Sequence, residues 1–381
     1  MNEEKLGYGC MRLPLLNSED QTSFNYPLIE KLFDVYLSKG FTYFDTAYTY
    51  HSYHAEEAVR KALVERYDRN EFELATKLPL RDFHNAEDLI TIFEEQLYNC
   101  GVEYFDCYLL HNMGTNVYSK CIKYSAFEFV HKQKEAGKIK NVGMSFHDMP
   151  ELLEEILSKY GQYLDFVQLQ INYIDWFQPN VQSKRCLEIA SKYQKPVVVM
   201  EPCKGGSLVN LPDEALKLFK EYNPNVSAAS WALRFAASQK GVIRVLSGMN
   251  SMEQVDDNTS TFTDFKLLSD EETKIIDKAR TIIESSIAIP CTACSYCTHG
   301  CPKKIAIPQY FSLYNSIMRT TGSFSSQMVY YSNISLTHGK ASDCIECKQC
   351  EKTCPQHLHI TELLKDIVEK FEKNSITPVR K

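Results

Sequence analysis

Short β-rich apolar runs alternate with amphipathic stretches from residue 5 to about residue 260. In the amphipathic stretches apolar residues recur every three or four positions, as at Leu28, Leu32, Val35 and Tyr36, which is typical of helices packed on one face. The alternation predicts repeated βα units and a parallel sheet. The predicted strands cover residues 6–10, 42–44, 72–76, 105–110, 141–144, 166–168, 196–200 and 242–246.

Eight predicted strands with intervening helices over about 255 residues match a closed (β/α)8 TIM barrel in number and length. A doubly wound open sheet is the alternative, but no Gly-x-Gly-x-x-Gly run follows the first predicted strand. Towards the end of this region, Ser269 and the acidic residues after it predict the start of a helix. Pro290 and a change in composition follow, so we predict a barrel over residues 1–285 and a second domain over residues 286–381.

Two stretches of the second domain carry apolar residues at helical spacing. They predict a small, mainly helical domain. The residues are Tyr310, Phe311, Tyr314, Ile317 and Met318 in the first stretch, and Leu363, Leu364, Ile367, Val368 and Phe371 in the second.

The composition, with 44% hydrophobic and 24% charged residues, is that of a folded protein that stays in solution. No apolar run approaches the roughly 18 residues of a membrane span. The first residues also lack the basic and apolar regions of a signal peptide. We therefore expect a cytoplasmic protein with no membrane partner, in a compartment that keeps thiols reduced.

Cysteine changes this picture, because eight of the 14 cysteines lie between Cys291 and Cys354. A dense group of thiols in a reducing compartment indicates metal or redox chemistry rather than disulfides. The other six have mostly apolar or aromatic neighbours and are predicted to be buried, inert thiols. They are Cys10, Cys100, Cys107, Cys121, Cys186 and Cys203.

Charge is unevenly distributed along the chain. The formal net charge of −7 divides into −11 for residues 1–285 and +4 for residues 286–381. A positive tail could suggest nucleic acid, but it contains no basic run, and its thiols become anionic when they bind metal. We interpret the excess as compensation for metal-bound thiolates and predict no nucleic-acid partner.

The eight clustered cysteines form one spacing pattern that occurs twice. In each copy, three cysteines are separated by two residues, and a fourth follows after three residues and directly precedes a proline. This is the bacterial run for [4Fe-4S] clusters. Zinc is the alternative, although it generally uses paired C-x2-C knuckles. The copies are Cys291, Cys294, Cys297 and Cys301-Pro302, and Cys344, Cys347, Cys350 and Cys354-Pro355.

The tail resembles the helical type of two-cluster ferredoxin domain, with 42 residues between the runs. In two-cluster ferredoxins the fourth cysteine of each run ligates the other cluster. The resemblance implies two [4Fe-4S] clusters with crossed ligand sets. One set is Cys291, Cys294, Cys297 and Cys354, and the other is Cys344, Cys347, Cys350 and Cys301.

Four ionisable residues fall at or just beyond successive predicted strand ends, where a barrel places its chemistry. They are Asp45 and Tyr50 in Phe-Asp-Thr-Ala-Tyr-Thr-Tyr, Lys77 in Ala-Thr-Lys, and His111 in Tyr-Leu-Leu-His. With these motifs, in this order, residues 5–260 resemble the aldo/keto reductase superfamily. The resemblance implies that the four residues form a catalytic tetrad that reduces a small carbonyl substrate.

Physical chemistry supports these roles. Hydride transfer to a carbonyl builds negative charge on oxygen, which needs a proton donor and a preorganised polar pocket. Tyr50 would be the donor, and the Lys77 ammonium would lower its pKa from about 10. Asp45 would keep Lys77 protonated, and a neutral His111 would orient the substrate oxygen.

The resemblance also implies a nicotinamide site at the barrel mouth. Ser145 and Gln168 would bind the carboxamide, and Gly205 lies in the 201–208 loop that would cover the pyrophosphate. Because residues 249–258 contain no Arg or Lys to pair with a 2′-phosphate, NADH or another two-electron carrier is more plausible than NADPH. The adenosine phosphate site would use Ser247, Gly248, Gln254 and Asn258; pocket-lining candidates are His51, His54, His147, Tyr48, Asp175 and Trp176.

The two halves pose a problem of electron number, because hydride carries two electrons and a [4Fe-4S] cluster passes one. A flavin, which accepts one or two electrons, is a candidate intermediary. We therefore hypothesise a nicotinamide-dependent reductase whose clusters relay electrons to or from a ferredoxin or flavoprotein. Two alternatives stay open: an electron-transfer protein whose barrel does not reduce carbonyls, and clusters that are structural or sense oxygen.

Overall fold

A computed structural model describes residues 4–285, 288–289, 291, 293–318, 325–354 and 356–373. Eight parallel strands close a barrel in chain order, and β8 pairs with β1 through Leu6 and Val245. The predicted (β/α)8 barrel is confirmed. The strands are β1 Leu6–Gly9, β2 Tyr43–Asp45, β3 Glu73–Leu78, β4 Phe105–Met113, β5 Ile139–Phe146, β6 Phe166–Gln170, β7 Val197–Met200 and β8 Val242–Ser247.

Helices surround the barrel and make up most of the regular structure of the tail. The barrel helices are α1 Tyr26–Ser38, α2 Ala55–Val59, α3 Asp88–Cys100, α4 Thr115–Lys123, α5 Ala126–Glu135, α6 Pro150–Tyr160, α7 Ser183–Lys192, α8 Asp213–Tyr222, α9 Ala228–Ala237, α10 Met252–Thr263 and α11 Asp270–Ser285. The tail helices are α12 Tyr296–His299, α13 Ile307–Ile317, α14 Gln327–Ile334, α15 Gln349–Lys352 and α16 Ile360–Val368. Short 3-10 or π turns cover Cys10–Arg12, Tyr50–Tyr53, Arg60–Val64, Leu80–Asp82, Gly161–Tyr163, Lys204–Gly206, Ala341–Asp343 and Glu369–Lys373.

Several strands are longer than predicted, which changes the position of two site residues. Lys77 lies inside β3, and His111 lies inside β4 rather than beyond its end. The predicted strands stop just before Lys77 and His111, but pairing continues beyond these residues, as between Met113 and Phe146. Both side chains are therefore held by sheet backbone.

The barrel interior is a packed core. Seven buried apolar residues fill it, and Arg244 lies among them near the amino end of the strands. The Arg244 guanidinium pairs with Glu73 at 3.2 Å and stacks on the Tyr43 ring at 4.2 Å, so this buried charge has both an anionic and an aromatic partner. The apolar residues are Tyr43, Ala75, Cys107, Leu109, Phe166, Val198 and Leu246.

Two smaller predictions about the barrel are also tested. Ser269 and Glu272 form a reciprocal capping box at the start of α11, which confirms the predicted helix start. Five of the six scattered cysteines are buried as predicted, and Cys203 is partly buried. Burial raises the pKa of Cys107 and Cys186 to about 12, so these thiols stay protonated and unreactive.

The tail repeats its backbone conformation with an offset of 53 residues. Cys291 and Cys344 begin the two runs, and helices α13 and α16 begin at Ile307 and Ile360. Residues in the left-handed region recur at the same offset, in the pairs Ala293 and Glu346, Ser295 and Lys348, and Lys304 and His357.

Both predicted tail helices are present, although not every predicted apolar position faces inward. Met318 follows the end of α13 and is 51% exposed, because the helical spacing does not continue past Ile317. Among the described residues, no helix has both the length and the apolar character to cross a bilayer.

Candidate active site and cysteine cavities

Three of the four tetrad candidates meet at the carboxyl ends of β2 and β3. Asp45 ends β2, Lys77 lies one residue before the end of β3, and Tyr50 begins a 3-10 turn. The Lys77 Nζ donates to Asp45 Oδ1 at 2.5 Å and to the Tyr50 hydroxyl oxygen at 3.2 Å. It also donates to the backbone carbonyl of Thr46 at 2.7 Å. All three ammonium donors are therefore used, and the charge is fixed beside the phenol.

The charges at this site differ in part from the sequence-based expectation. Burial alone would lower the pKa of Lys77, but Asp45 and Tyr50 raise it, and the resulting pKa lies above the usual value. For Tyr50, burial raises the phenol pKa and outweighs the lowering effect of Lys77. The expectation of a lowered Tyr50 pKa was wrong for the protein without ligand. The phenol keeps its proton at neutral pH, as a proton donor must.

His111 completes the group of four. Its ring centroid is 6.0 Å from that of Tyr50. Burial, with smaller contributions from Lys77 and His147, holds the pKa of His111 well below the usual range. Its buried Nδ1 has no hydrogen-bond partner in the described part of the chain. A neutral imidazole with an unused nitrogen is suited to a hydrogen bond with a substrate oxygen.

Ser145 and Gln168 lie side by side, because they are register partners on the neighbouring strands β5 and β6. Ser145 Oγ accepts from the backbone N–H of Asn112 at 2.9 Å, and Gln168 Nε2 donates to Asp45 Oδ2 at 3.2 Å. Asn112 itself has a φ of 54°, a strained conformation of the kind that clusters at functional sites. A hydroxyl next to an amide offers the donors and acceptors that a carboxamide needs.

The predicted adenosine phosphate residues follow β8. Gly248 comes directly after the strand, and Ser247 Oγ accepts from Asn258 Nδ2 at 2.9 Å. The Gln254 side chain accepts from the backbone N–H of Asn250 at 2.8 Å. These groups form a neutral, hydrogen-bonded surface at the start of α10.

Gly205 lies in the turn after β7, where its φ of 65° favours glycine. The preceding residue, Lys204, is buried and pairs with Asp175 at 2.5 Å. Asp175 also accepts from Gln170 at 2.6 Å and from Asn172 at 2.7 Å. Sequence reasoning did not identify this network, although a lysine next to two glycines in a mouth loop could have drawn attention to it.

Most of the candidate pocket residues serve packing. His51 Nε2 accepts a backbone N–H at 3.1 Å, and the Tyr48 hydroxyl donates to Glu95 at 3.0 Å. Trp176 packs edge-on against aromatic neighbours, and the His54 side chain is about half exposed beside Glu57. His147 is buried, and burial together with the charge of Lys77 lowers its pKa to about 4.

Glu56 is a buried acid behind the tetrad that the sequence pattern did not single out. Its Oε1 accepts from Thr76 at 2.6 Å and from Gln96 at 2.7 Å, and Gln96 also donates to the Lys77 carbonyl at 3.1 Å. Burial raises the pKa of Glu56 from 4.5 to about 7. Glu56 thus supports the strand residue that carries the ammonium.

This pKa gives a pH-dependent prediction for Glu56→Gln. Between pH 4.5 and about 7 the Glu56 carboxyl is ionised in the unfolded chain but still protonated in the folded chain. The free energy of unfolding of the wild type therefore falls as pH rises through this window. The glutamine keeps the Oε1 contacts and removes this loss, so its stability advantage should grow over that window to roughly 3 kcal/mol above pH 7.

Thermal denaturation of both proteins from pH 5.5 to pH 8 measures this effect. Glu57→Gln, the same change at the exposed neighbouring residue, is the control and should show no such trend. An advantage of Glu56→Gln that is absent, or equal at every pH, would contradict the buried-acid interpretation.

The cysteines of the tail surround two small cavities of about 310 and 320 Å³, including their openings to solvent. Each cavity takes three cysteines from one run and the fourth from the other run, together with apolar residues such as Phe311 and Leu364. Among the described residues, no three His, Cys, Asp or Glu side chains are close enough to hold a single metal ion. The first cavity contains Cys291, Cys294, Cys297 and Cys354, and the second contains Cys301, Cys344, Cys347 and Cys350.

A larger cavity of about 1890 Å³, again including its opening to solvent, lies between the barrel and the tail. It is lined mainly by polar residues such as Gln178, Asn315 and Lys304, and it reaches Cys291 but none of the tetrad residues. It is therefore a feature of the domain contact and separate from the barrel mouth.

Two family models match the chain. Residues 5–281 match the aldo/keto reductase family, and residues 290–359 match a 4Fe-4S dicluster domain. Among curated proteins, a probable aldo-keto reductase from Glycine max is 33% identical over 153 residues, which is 37% of this chain and 41% of that protein. The 7-acetyl-epi-neemfruitin B aldo-keto reductase of Melia azedarach is 37% identical over 94 residues, 23% of this chain and 28% of that protein. The chain therefore spans less than half the length of these relatives.

Solved structures resemble the barrel. The holo form of an aldo-keto reductase from Bacillus halodurans has a TM-score of 0.56 and 24% identity, and the match covers 72% of this chain and 91% of that one. An aldo-keto reductase from Klebsiella pneumoniae in complex with NADPH has a TM-score of 0.57 and 19% identity, with 73% and 95% covered. At these identities the likeness concerns the fold.

Proposed function

The chain belongs to the aldo/keto reductase family, and on that basis we propose that it is an oxidoreductase that reduces an aldehyde or ketone. The observation that carries this proposal is the buried contact of Lys77 with both Asp45 and Tyr50. We further propose that two [4Fe-4S] clusters in the tail exchange electrons with a redox partner. The domain division between residues 285 and 286 is part of the same proposal.

The chemistry of the tetrad is proton supply. A nicotinamide held beside Ser145 and Gln168 would supply the hydride for the carbonyl carbon, and negative charge would then develop on the carbonyl oxygen. Tyr50 donates its proton to that oxygen, and the Lys77 ammonium stabilises the phenolate that forms. Asp45 keeps Lys77 charged, and His111 hydrogen-bonds the carbonyl oxygen in the correct orientation. One hydride and one proton balance the reduction to an alcohol.

The cofactor proposal is supported by the pairing of Ser145 and Gln168, which presents a hydroxyl and an amide side by side. The side chains of Gln254 and Asn258 are uncharged, and both are occupied by hydrogen bonds within the chain. A 2′-phosphate would find no cationic partner in residues 249–258. We therefore propose NADH as the better hydride donor.

Two observations favour iron-sulfur clusters over zinc in the tail. The four cysteines of each set surround a cavity and do not converge on one ion. The left-handed residues of each run, such as Ala293 and Ser295, turn the backbone between the cysteines, and such turns form concave sites of N–H groups that suit an anionic cluster. The four cysteines around each cavity would be the ligands.

Electron relay is supported by the position of the cysteines at the surface. Cys294 and Cys347, one from each set, are exposed, which would bring each cluster edge close to a docked ferredoxin or flavoprotein. A flavin would link one-electron and two-electron steps. The exposure of these two cysteines favours electron exchange over a purely structural role for the clusters.

Anaerobic kinetics with the full chain tests the proposal. We expect reduction of benzaldehyde or propanal with NADH and slower reduction with NADPH. We also expect aldehyde reduction driven by reduced methyl viologen when nicotinamide and a flavin are both supplied, because the flavin collects single electrons and passes on two. Turnover with nicotinamide but no exchange with viologen would reject the relay and support structural or sensing clusters. Viologen oxidation without aldehyde reduction in any arm would reject the reductase and support an electron-transfer protein.

A further inference from the structure

The segment between the two cysteine runs does not stay within the tail. Ser325, Ser326 and the start of α14 at Gln327 are buried. Ser326 Oγ donates to the side-chain oxygen of Gln170 at 3.0 Å, and Gln170 is the last residue of β6. The segment therefore reaches the carboxyl ends of the barrel strands, where the tetrad lies.

The other end of α14 rests on the loops after β4 and β5. Asn333 Nδ2 donates to the backbone carbonyl of His147 at 2.9 Å. A Cβ atom on Gly114 would lie 2.4 Å from the same nitrogen, so any side chain at position 114 would displace the Asn333 amide. These loops follow the strands that carry His111 and Ser145, and α14 thus spans the mouth from β4 to β6.

Between these two attachments, Tyr330 packs on His147. The Tyr330 side chain is 4% exposed, and its ring centroid lies 6.0 Å from the His147 imidazole at an interplanar angle of 68°. Burial raises the pKa of Tyr330 well above its usual value. A neutral aromatic ring from the tail therefore closes this side of the barrel.

His147 connects Tyr330 with the tetrad. Its Nδ1 is buried without a hydrogen-bond partner in the described chain. Burial, assisted by the charge of Lys77, lowers the pKa of His147 to about 4. Burial and the Lys77 charge also lower the pKa of His111. Two neutral imidazoles thus lie within the electrostatic influence of Lys77, and each has a buried Nδ1 without a hydrogen-bond partner in the described part of the chain.

We propose that residues 325–334, the roof segment, cover the substrate site, and that Tyr330 and His147 position the substrate against His111 and Tyr50. This inference rests on the proposed carbonyl reduction. The two rings offer flat walls and a neutral nitrogen, and the cation of Lys204 is already paired with Asp175. The roof therefore selects an aldehyde or ketone with a flat unsaturated group next to the carbonyl.

Steady-state kinetics of Tyr330→Ala with benzaldehyde and propanal tests the roof. We expect the KM for benzaldehyde to rise about tenfold or more, because the wall that holds the flat group is lost. The KM for propanal, kcat and the nicotinamide Kd should each change less than about threefold. Tyr330→Phe keeps the ring and should restore the wild-type KM.

Ser332→Ala, on the exposed face of the same helix, is the matched control and should behave as wild type. Gly114→Ala displaces Asn333 from the barrel side and should also raise the KM for benzaldehyde. This second variant tests the roof even if Tyr330→Ala folds poorly. Equal KM changes for both aldehydes, or no change in either variant, would overturn the roof. A wild type that reduces neither aldehyde would instead overturn the proposed function.

Discussion

Replacing Tyr50 with phenylalanine is expected to lower carbonyl reduction by at least about two orders of magnitude, the usual worth of a positioned general acid. The ring stays in place over Lys77, 4.7 Å from Nζ, and only the proton donor is removed. Nicotinamide binding should be nearly unchanged, because the hydrogen bonds of Ser145 and Gln168 are to Asn112 and Asp45 and do not depend on the Tyr50 hydroxyl. Anaerobic kcat and KM, with the nicotinamide Kd from fluorescence titration, measure both effects.

Tyr48→Phe is the matched control for this variant. It removes the same hydroxyl two residues away, from a tyrosine whose hydroxyl donates to Glu95 on α3. We expect a small loss of stability, of about 1 kcal/mol for one hydrogen bond, and activity close to wild type. Wild-type activity in Tyr50→Phe would exclude Tyr50 as the acid.

The sequence predicted those parts of the site whose residues form short motifs. Asp45, Lys77 and His111 each lie at or next to a predicted strand end. A closed barrel brings the ends of successive strands together, independently of the details of the surrounding helices. The two cysteine runs followed from spacing in the same way, whereas their division into crossed sets came from the resemblance to two-cluster ferredoxins. These features depend on local pattern and on general rules of topology, and both can be read from one sequence.

The contacts between barrel and tail could not be predicted. Ser326 meets Gln170 across 156 residues and Asn333 meets His147 across 186 residues, and no local pattern marks either pair. Glu56 was missed because a glutamate on a helix is usually exposed. The Tyr50 pKa was misjudged because the degree of burial, which outweighs the Lys77 charge, is a property of the folded chain.

The roof also changes how the clusters must be studied. Removing residues 286–381 would delete α14 together with the cysteine runs, so a loss of carbonyl reduction would not show that electrons pass through the clusters. Point variants of single cysteines leave the roof segment in the chain. They are the appropriate way to separate electron transfer from substrate binding.

Cys354→Ala and Cys301→Ala should each remove one cluster. In each variant, the lost cluster should be the one whose other three ligands lie in the run that does not contain the replaced cysteine. Each [4Fe-4S] cluster needs four thiolates, so iron should fall from about eight to about four atoms per chain in either variant. Alanine is chosen because a serine oxygen could replace the thiolate. Iron analysis after anaerobic purification measures this loss.

Alkylation of the native variants, followed by mass spectrometry, identifies the lost cluster, because a cluster shields its ligands. In Cys354→Ala, Cys291, Cys294 and Cys297 should become reactive, whereas the cysteines around the second cavity should stay protected. Cys301→Ala should give the reverse pattern. Cys203→Ala, at a partly buried cysteine outside the tail, should keep all the iron. If Cys354→Ala instead exposes Cys344, Cys347 and Cys350, each run holds its own cluster and the crossed assignment is wrong.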